Sequence, residues 1–156
     1  MPPLVIESHN DLKDHVGKQI ATTDWLTVTQ DRIQQFADAT GDHQWIHVDV
    51  ERSRRESPYK ETIAHGFLTL SLLPQLMPQV LKIKNGVRMG VNYGLNRLRF
   101  PAAVRSGSRI RAHFTLQALK ELADGVEITY AVTVECEGSE KPCCVAEWVV
   151  RSYSQP

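Results

Sequence analysis

The chain has 156 residues carrying 18 basic and 18 acidic side chains, long enough for one domain with its own core. The charge balance excludes the broad basic field of a nucleic-acid binder and the polybasic surface that seeks anionic lipid. Three cysteines, Cys136, Cys143 and Cys144, fall late in the chain with no CxxC or zinc-type pair, so reduced thiols in a cytoplasmic protein are expected.

No repeat, low-complexity tract or linker divides the chain, so residues 1–156 are read as a single domain. A basic region leading into an apolar run is missing at the N-terminus, and no secretory signal is expected. Residues 1–17 read as an extended lead-in with a short helix near 11–15. Trp25, Thr27 and Thr29 then mark a first strand that ends at a helix cap. Thr29 can cap a helix bearing Ile33, Phe36 and Ala37 at helical spacing, and Gly41 stops it. Residues 48–62 are polar, contain Pro58 and read as a loop. Within them Glu51-Arg52-Ser53-Arg54-Arg55-Glu56 is a mixed-sign run, open to two readings: a solvated surface, or contact with an anionic ligand group.

Residues 66–81 carry Phe67, Leu68, Leu70, Leu72, Leu73, Leu76 and Met77 on nearly every side, which predicts a helix buried all round. Pro74 and Pro78 will bend or end it, and with His65 and Gly66 they break the apolar run too often for a membrane span. The remainder alternates. Ile110, Ala112, Phe114 and Leu116 share one face; so do Val126, Ile128, Tyr130, Val132 and Val134; so do Cys144, Ala146, Trp148 and Val150. Ala123-Asp124-Gly125 and Gly138-Ser139 mark turns. Antiparallel strands with one apolar face need a cover. The expected fold class is therefore α+β, an antiparallel sheet wrapped around one central helix.

Chemistry concentrates in Gly41-Asp42-His43-Gln44-Trp45-Ile46-His47 and in Ile63-Ala64-His65-Gly66-Phe67. Asp42 and His47 supply a carboxylate and an imidazole for proton transfer; the bland alternative is a loop aspartate beside a packed histidine. Gly66 opens the apolar helix, so its N–H can face a developing oxyanion; the alternative is a glycine that merely permits close packing. Leu70, Leu73, Pro74 and Met77 recur at helical spacing beyond it and could line an acyl tunnel or serve as core. His43 and His47 lack the unbroken helix and the carboxylate of an HExxH site, so no metal is expected. No GxSxG elbow or Cys–His neighbourhood supports a nucleophilic enzyme.

The order Phe36…Gly41-Asp42…Ile46-His47…Ile63-Ala64-His65-Gly66 resembles the hydratase motif of the MaoC-like, (R)-specific enoyl-CoA hydratases, which adopt the hot-dog fold. Residues 40–49, 62–74 and 92–101 resemble more closely the subgroup typified by nodulation protein N, and the likeness extends over about 15–150. The resemblance implies that Asp42 and His47 form the catalytic dyad holding water, and that the Gly66 N–H meets the thioester carbonyl. It implies an acyl-thioester substrate carried on coenzyme A or acyl carrier protein, no cofactor, and a homodimer. Arg54, Arg55, Arg97 and Arg99 are then candidates to meet carrier phosphates. Gln44-Trp45 stands where the wider family has Asn-Pro. Gln44 and His65 are thus candidates for orienting the dyad or binding substrate, and Trp45 is expected to narrow the cleft. The expected reaction is reversible hydration of a trans-2-enoyl thioester; the alternatives are a thioesterase on the same fold and a non-catalytic acyl-binding subunit.

Overall fold

In the computed structural model, which describes residues 2–156, the first residue of the expected lead-in lies outside the described residues. The elements run β1 (Leu4–Ile6), a 3-10 helix (His9–His15), β2 (Gln19–Thr22), β3 (Leu26–Thr27) and α1 (Gln30–Thr40). Then come α2 (Trp45–Val48), α3 (Val50–Glu56), α4 (Gly66–Ser71), α5 (Leu73–Leu76) and a 3-10 turn (Met77–Gln79). The chain closes with β4 (Leu81–Ile83), β5 (Val87–Arg99), β6 (Arg109–Leu122), β7 (Gly125–Cys136) and β8 (Cys144–Ser154).

Alternation builds the main sheet, ordered β2-β6-β7-β8-β5 with β3 also on β6. All its pairs are antiparallel. Ile110, Ala112, Phe114 and Leu116 are fully buried, and Cys136, Val134, Val132 and Tyr130 oppose them from β7. Their intervening neighbours face outward, where Arg111 and His113 share Glu135. Cys144, Ala146 and Trp148 continue the buried face from β8, while Val150 is half-buried. The sheet wraps around α4 and α5, whose Leu68, Leu72, Leu73 and Leu76 join its inner face in one core. β1 and β4 pair in parallel at one end of the molecule.

As its prolines predict, the central helix is broken at Leu72, where α5 restarts with Pro74 in its first turn, and Pro78 is the second residue of the following 3-10 turn. Proline lacks the N–H that a helix interior needs, so each falls where that donor is spare. The structure differs from the sequence reading in three places. The central segment is not buried all round: Phe67 is 65% exposed, and Leu70 and Met77 are half-buried. Residues 50–56 form α3 rather than loop. Asp49 caps it by accepting from the Arg52 N–H, Arg52 pairs with Glu56, and Arg54 with Glu51. It lacks an apolar stripe; its one buried side chain is Ser53. Finally, β5 is a 13-residue edge strand on β8 whose register shifts three times, and nearly all of it is exposed.

These packing differences make distinct stability predictions. Leu73→Ala empties a fully buried site and is expected to cost about 2–5 kcal/mol in urea unfolding. Asp49→Ala removes only a cap and is expected to cost about 1 kcal/mol.

Candidate active site

Caps at both ends of α1 deliver the first motif. Thr29 accepts from the Arg32 N–H, and Gly41 ends the helix at φ 80° with its N–H on the Ala37 carbonyl. That left-handed conformation strains any residue with a Cβ, so the glycine turns the chain and places Asp42 just beyond the helix. Gln44 gives its backbone N–H to Asp42 Oδ1 at 3.4 Å and its carbonyl to the His47 N–H at 3.0 Å. Its role in the geometry is through its main chain. The single turn of α2 then buries His47.

His47 Nδ1 donates to the Ile63 carbonyl at 2.7 Å. A proton on Nδ1 fixes the tautomer and leaves the Nε2 lone pair as an acceptor. Gln30 supports this from behind. Its Nε2 donates to the His47 carbonyl at 2.8 Å, and its Oε1 accepts from the buried Thr62 hydroxyl. The two contacts span 17 and 32 residues of sequence. No local pattern signals Gln30 or Thr62, and the sequence reading missed both.

His65 is the second buried imidazole. It stacks on His47 with ring centroids 3.8 Å apart and an interplanar angle of 23°, and the Phe36 ring lies 4.9 Å from it. Its Nε2 donates to the Asp42 carbonyl at 3.0 Å and lies 4.0 Å from Asp42 Oδ2. Polar atoms of Asp42, His47 and His65 lie within 4.8 Å of one another. The sequence reading expected no metal, yet these three residues are of the types that ligate one; the two rings are nearly parallel, so their in-plane lone pairs run along separate planes. Burial pushes the His47 pKa below its ordinary 6.5; His65 adds to that, while the Ile63 carbonyl and Asp42 oppose it. The histidine is therefore neutral at neutral pH.

Gly66 is the first residue of α4, where an N–H has no acceptor within its own helix. A Cβ on it would meet the Phe100 ring at 2.8 Å. Close approach of this aromatic ring, rather than backbone strain, is what requires glycine here. His47 and Gly66 open on one cavity of about 250 Å³, walled by Tyr59, Thr69, Phe100 and Cys143. Tyr59, Pro101, Ala102 and Ala103 also line a larger cavity of about 490 Å³ that has no histidine in its wall.

The expected tunnel residues separate. Leu70 and Pro74 line a cavity of about 300 Å³ with Asn92, Leu95 and Trp148. Leu73 is pure core, and Met77 packs against that core half-buried. Trp45, expected to narrow the cleft, is not among the residues walling the His47 cavity, and its ring carries the Arg52 guanidinium at 4.2 Å. Arg54 and Arg55 turn to Glu51 on their own helix, and Arg97 and Arg99 lie exposed on β5. The three cysteines are free and buried. Burial pushes Cys143 up to about 12 and Cys144 up to about 11, so both are neutral thiols and poor nucleophiles at neutral pH.

Residues 11–137 match the family described as MaoC like domain. The chain belongs to the MaoC-like dehydratase family. It is 53% identical over 146 residues to 3-hydroxyacyl-thioester dehydratase Z of Mycobacterium tuberculosis, covering 93% of this chain and 95% of that protein. Identity to nodulation protein N of Rhizobium leguminosarum bv. viciae is 44% over 144 residues, covering 89% and 87% of the two chains. The solved structure of the R-hydratase PhaJ1 of Pseudomonas aeruginosa superposes with a TM-score of 0.70 at 22% identity, covering 90% of this chain and 83% of that one. The hot-dog fold and the kinship with nodulation protein N are as the sequence reading expected.

Gly66→Ala is expected to displace Phe100 and to lower stability by about 1–3 kcal/mol, the usual range for overpacking. Adding Phe100→Ala should relieve the clash. The check is the urea midpoint of the two variants and of Phe100→Ala alone; an undiminished midpoint in Gly66→Ala would refute the close approach.

Proposed function

We propose that this protein adds water across a trans-2-enoyl thioester to give the (R)-3-hydroxyacyl thioester, and catalyses the reverse dehydration. The observation that carries this is the fixed His47 tautomer: Nδ1 is committed to the Ile63 carbonyl, which leaves Nε2 as an unprotonated acceptor on a residue that lines the cavity shared with Gly66 and lies within 4.8 Å of Asp42. Support comes from the relatives, one of which is named for dehydrating a 3-hydroxyacyl thioester, and from the fold shared with an R-hydratase.

In the proposed reaction, water lies between Asp42 and His47. Its oxygen attacks C3 of the enoyl group as its proton passes to the dyad, and the C2–C3 electrons move toward the thioester oxygen. The Gly66 N–H donates to that oxygen, a contribution of about 3–4 kcal/mol when such a donor is preorganised in a dry site. Collapse of the enolate takes the proton back onto C2, so atoms and charge balance without a cofactor. Coenzyme A and acyl carrier protein both present the same thioester to this site. A cytoplasmic setting is in keeping with the buried, unpaired cysteines.

Asp42→Asn and His47→Ala are each expected to lower kcat at least about 100-fold, since general acid–base groups contribute about 10²–10⁴-fold, with much smaller changes in KM. Loss of enoyl absorbance from crotonyl-CoA without thiol release identifies the hydratase. Thiol release identifies a thioesterase, and neither signal leaves a binding subunit.

The pH profile follows from His47. Neutral imidazole is the active form, so kcat/KM should fall as pH drops through the lowered His47 pKa, with the acid limb below 6.5. Because the unfolded histidine binds a proton more readily, stability from His47 is complete above 6.5 and is lost as pH falls through the folded value. An acid limb above 6.5 in kcat/KM contradicts the assignment of His47 as the base.

The protein is also proposed to act as a homodimer through β5. Met89, Val91, Tyr93 and Leu95 on this edge strand are all exposed in the single chain, on both sides of its bulges. An open edge bearing an apolar row needs a cover, and a two-fold copy of the same strand is the simplest symmetric one. Light scattering at micromolar concentration should give about twice the chain mass of 17.6 kDa. Tyr93→Lys should shift the population toward monomer.

A further inference from the structure

The geometry points to His65 as a positioning residue that aligns all three parts of the site: it tethers Asp42, stacks His47 in plane and, through its own peptide, sets the Gly66 N–H. The inference rests on the hydratase reading above and concerns a residue that need not touch substrate.

His65 is 3% exposed, yet only one of its ring nitrogens is satisfied. Nε2 donates to the Asp42 carbonyl, whereas Nδ1 has no hydrogen-bond partner among the described residues. A buried polar atom without a partner is unfavourable, so packing alone favours a phenylalanine or leucine at this position. What a hydrocarbon cannot supply is the Nε2–H donor, and that donor reaches the main chain of the proposed catalytic aspartate. The exposed Asp42 side chain therefore gains a fixed base from a buried ring 23 residues away in sequence.

The same ring has two further constraints on it. One face lies on His47 at 3.8 Å, which limits rotation of the base about its bond to Ile63. Its backbone is the N-cap of α4, and its carbonyl accepts from the Leu68 and Thr69 N–H groups. The next peptide nitrogen is that of Gly66. Moving His65 thus moves the carboxylate, the imidazole and the oxyanion donor together, and catalysis is sensitive to displacements of about 1 Å.

The titratable groups facing His47 are Asp42 and His65, with Tyr59 and Cys143 on the cavity wall.

Three variants and a spectrum test this. His65→Phe keeps the aromatic face and loses the donor; kcat for crotonyl-CoA is expected to fall about 10- to 100-fold with KM within about 3-fold. His65→Gln restores an N–H near the position of Nε2 but removes the stack. It should recover much of kcat, and the acid limb of its pH profile should move up toward 6.5 as His47 loses its cover. His65→Leu lacks both features and should be the slowest. On the wild type, long-range ¹H–¹⁵N spectra of the imidazoles should show His65 as the neutral Nε2–H tautomer and His47 as the Nδ1–H tautomer. Wild-type kcat in a folded His65→Phe, or His65 protonated on Nδ1, overturns the inference. Absence of hydration by the wild type would instead overturn the hydratase reading, and the imidazole spectra still decide the tether. Should the substitutions impair folding, those spectra decide it alone.

Discussion

The hydrogen bond from His47 Nδ1 to the Ile63 carbonyl ties the two halves of the site to each other. His47 arrives from the turn after α1, and Ile63 belongs to the segment that leads into α4. The bond is buried, so little water competes with it, and it decides which nitrogen of His47 keeps a lone pair. The rest of the arrangement reinforces it. Gln30 holds the His47 carbonyl and Thr62 from one side, while His65 stacks on the ring from the other. The Ala64 N–H on the Val104 carbonyl and the Ser106 N–H on the Thr62 carbonyl then join this segment to the chain just before β6. His47 is thereby tied, through the Ile63 segment, to the chain that enters the main sheet.

The opposite condition holds at β5. The inner faces of β6, β7 and β8 close on α4 and α5 without leftover apolar surface, but β5 presents an apolar row to solvent, and Phe67 and Phe100 lie exposed on nearby elements. Its three register shifts curl the strand, as bulges do at sheet edges. The cavity lined by Leu70, Pro74, Leu95 and Trp148 opens between this strand and the central helices. Whatever covers the edge therefore also meets the mouth of this cavity, since Asn92, Gly94 and Leu95 of β5 line it.

How much of this was legible locally depended on whether a residue's partners lie within one period of it. Thr29 and Gly41 act within a turn of α1, and both caps were readable. So were β6, β7 and β8, because a strand buried on one face must alternate. α3 was unreadable for the converse reason: an exposed helix held by the Asp49 cap and by Arg–Glu pairs shows no apolar stripe. On β5 Met89, Val91, Tyr93 and Leu95 alternate in sequence, but the register shift between Asn92 and Gly94 breaks the face in two and leaves all four exposed. Its glycines and bulges further blur the pattern.

By itself, then, the sequence determined the α+β sheet around a central helical segment, the helix ends that frame the motif, and through resemblance the family and the pairing of Asp42 with His47. Tertiary structure alone decided that Leu73 is core while Leu70 and Pro74 face a cavity, that Gly66 is glycine because Phe100 lies on it, and that Gln30, Thr62 and His65 brace the dyad. The physical reason is range. Propensity, capping and periodicity act over one turn or two strand residues, whereas the contacts that brace His47 and Asp42 join residues 16 to 32 positions apart, and only packing of the whole chain brings those together.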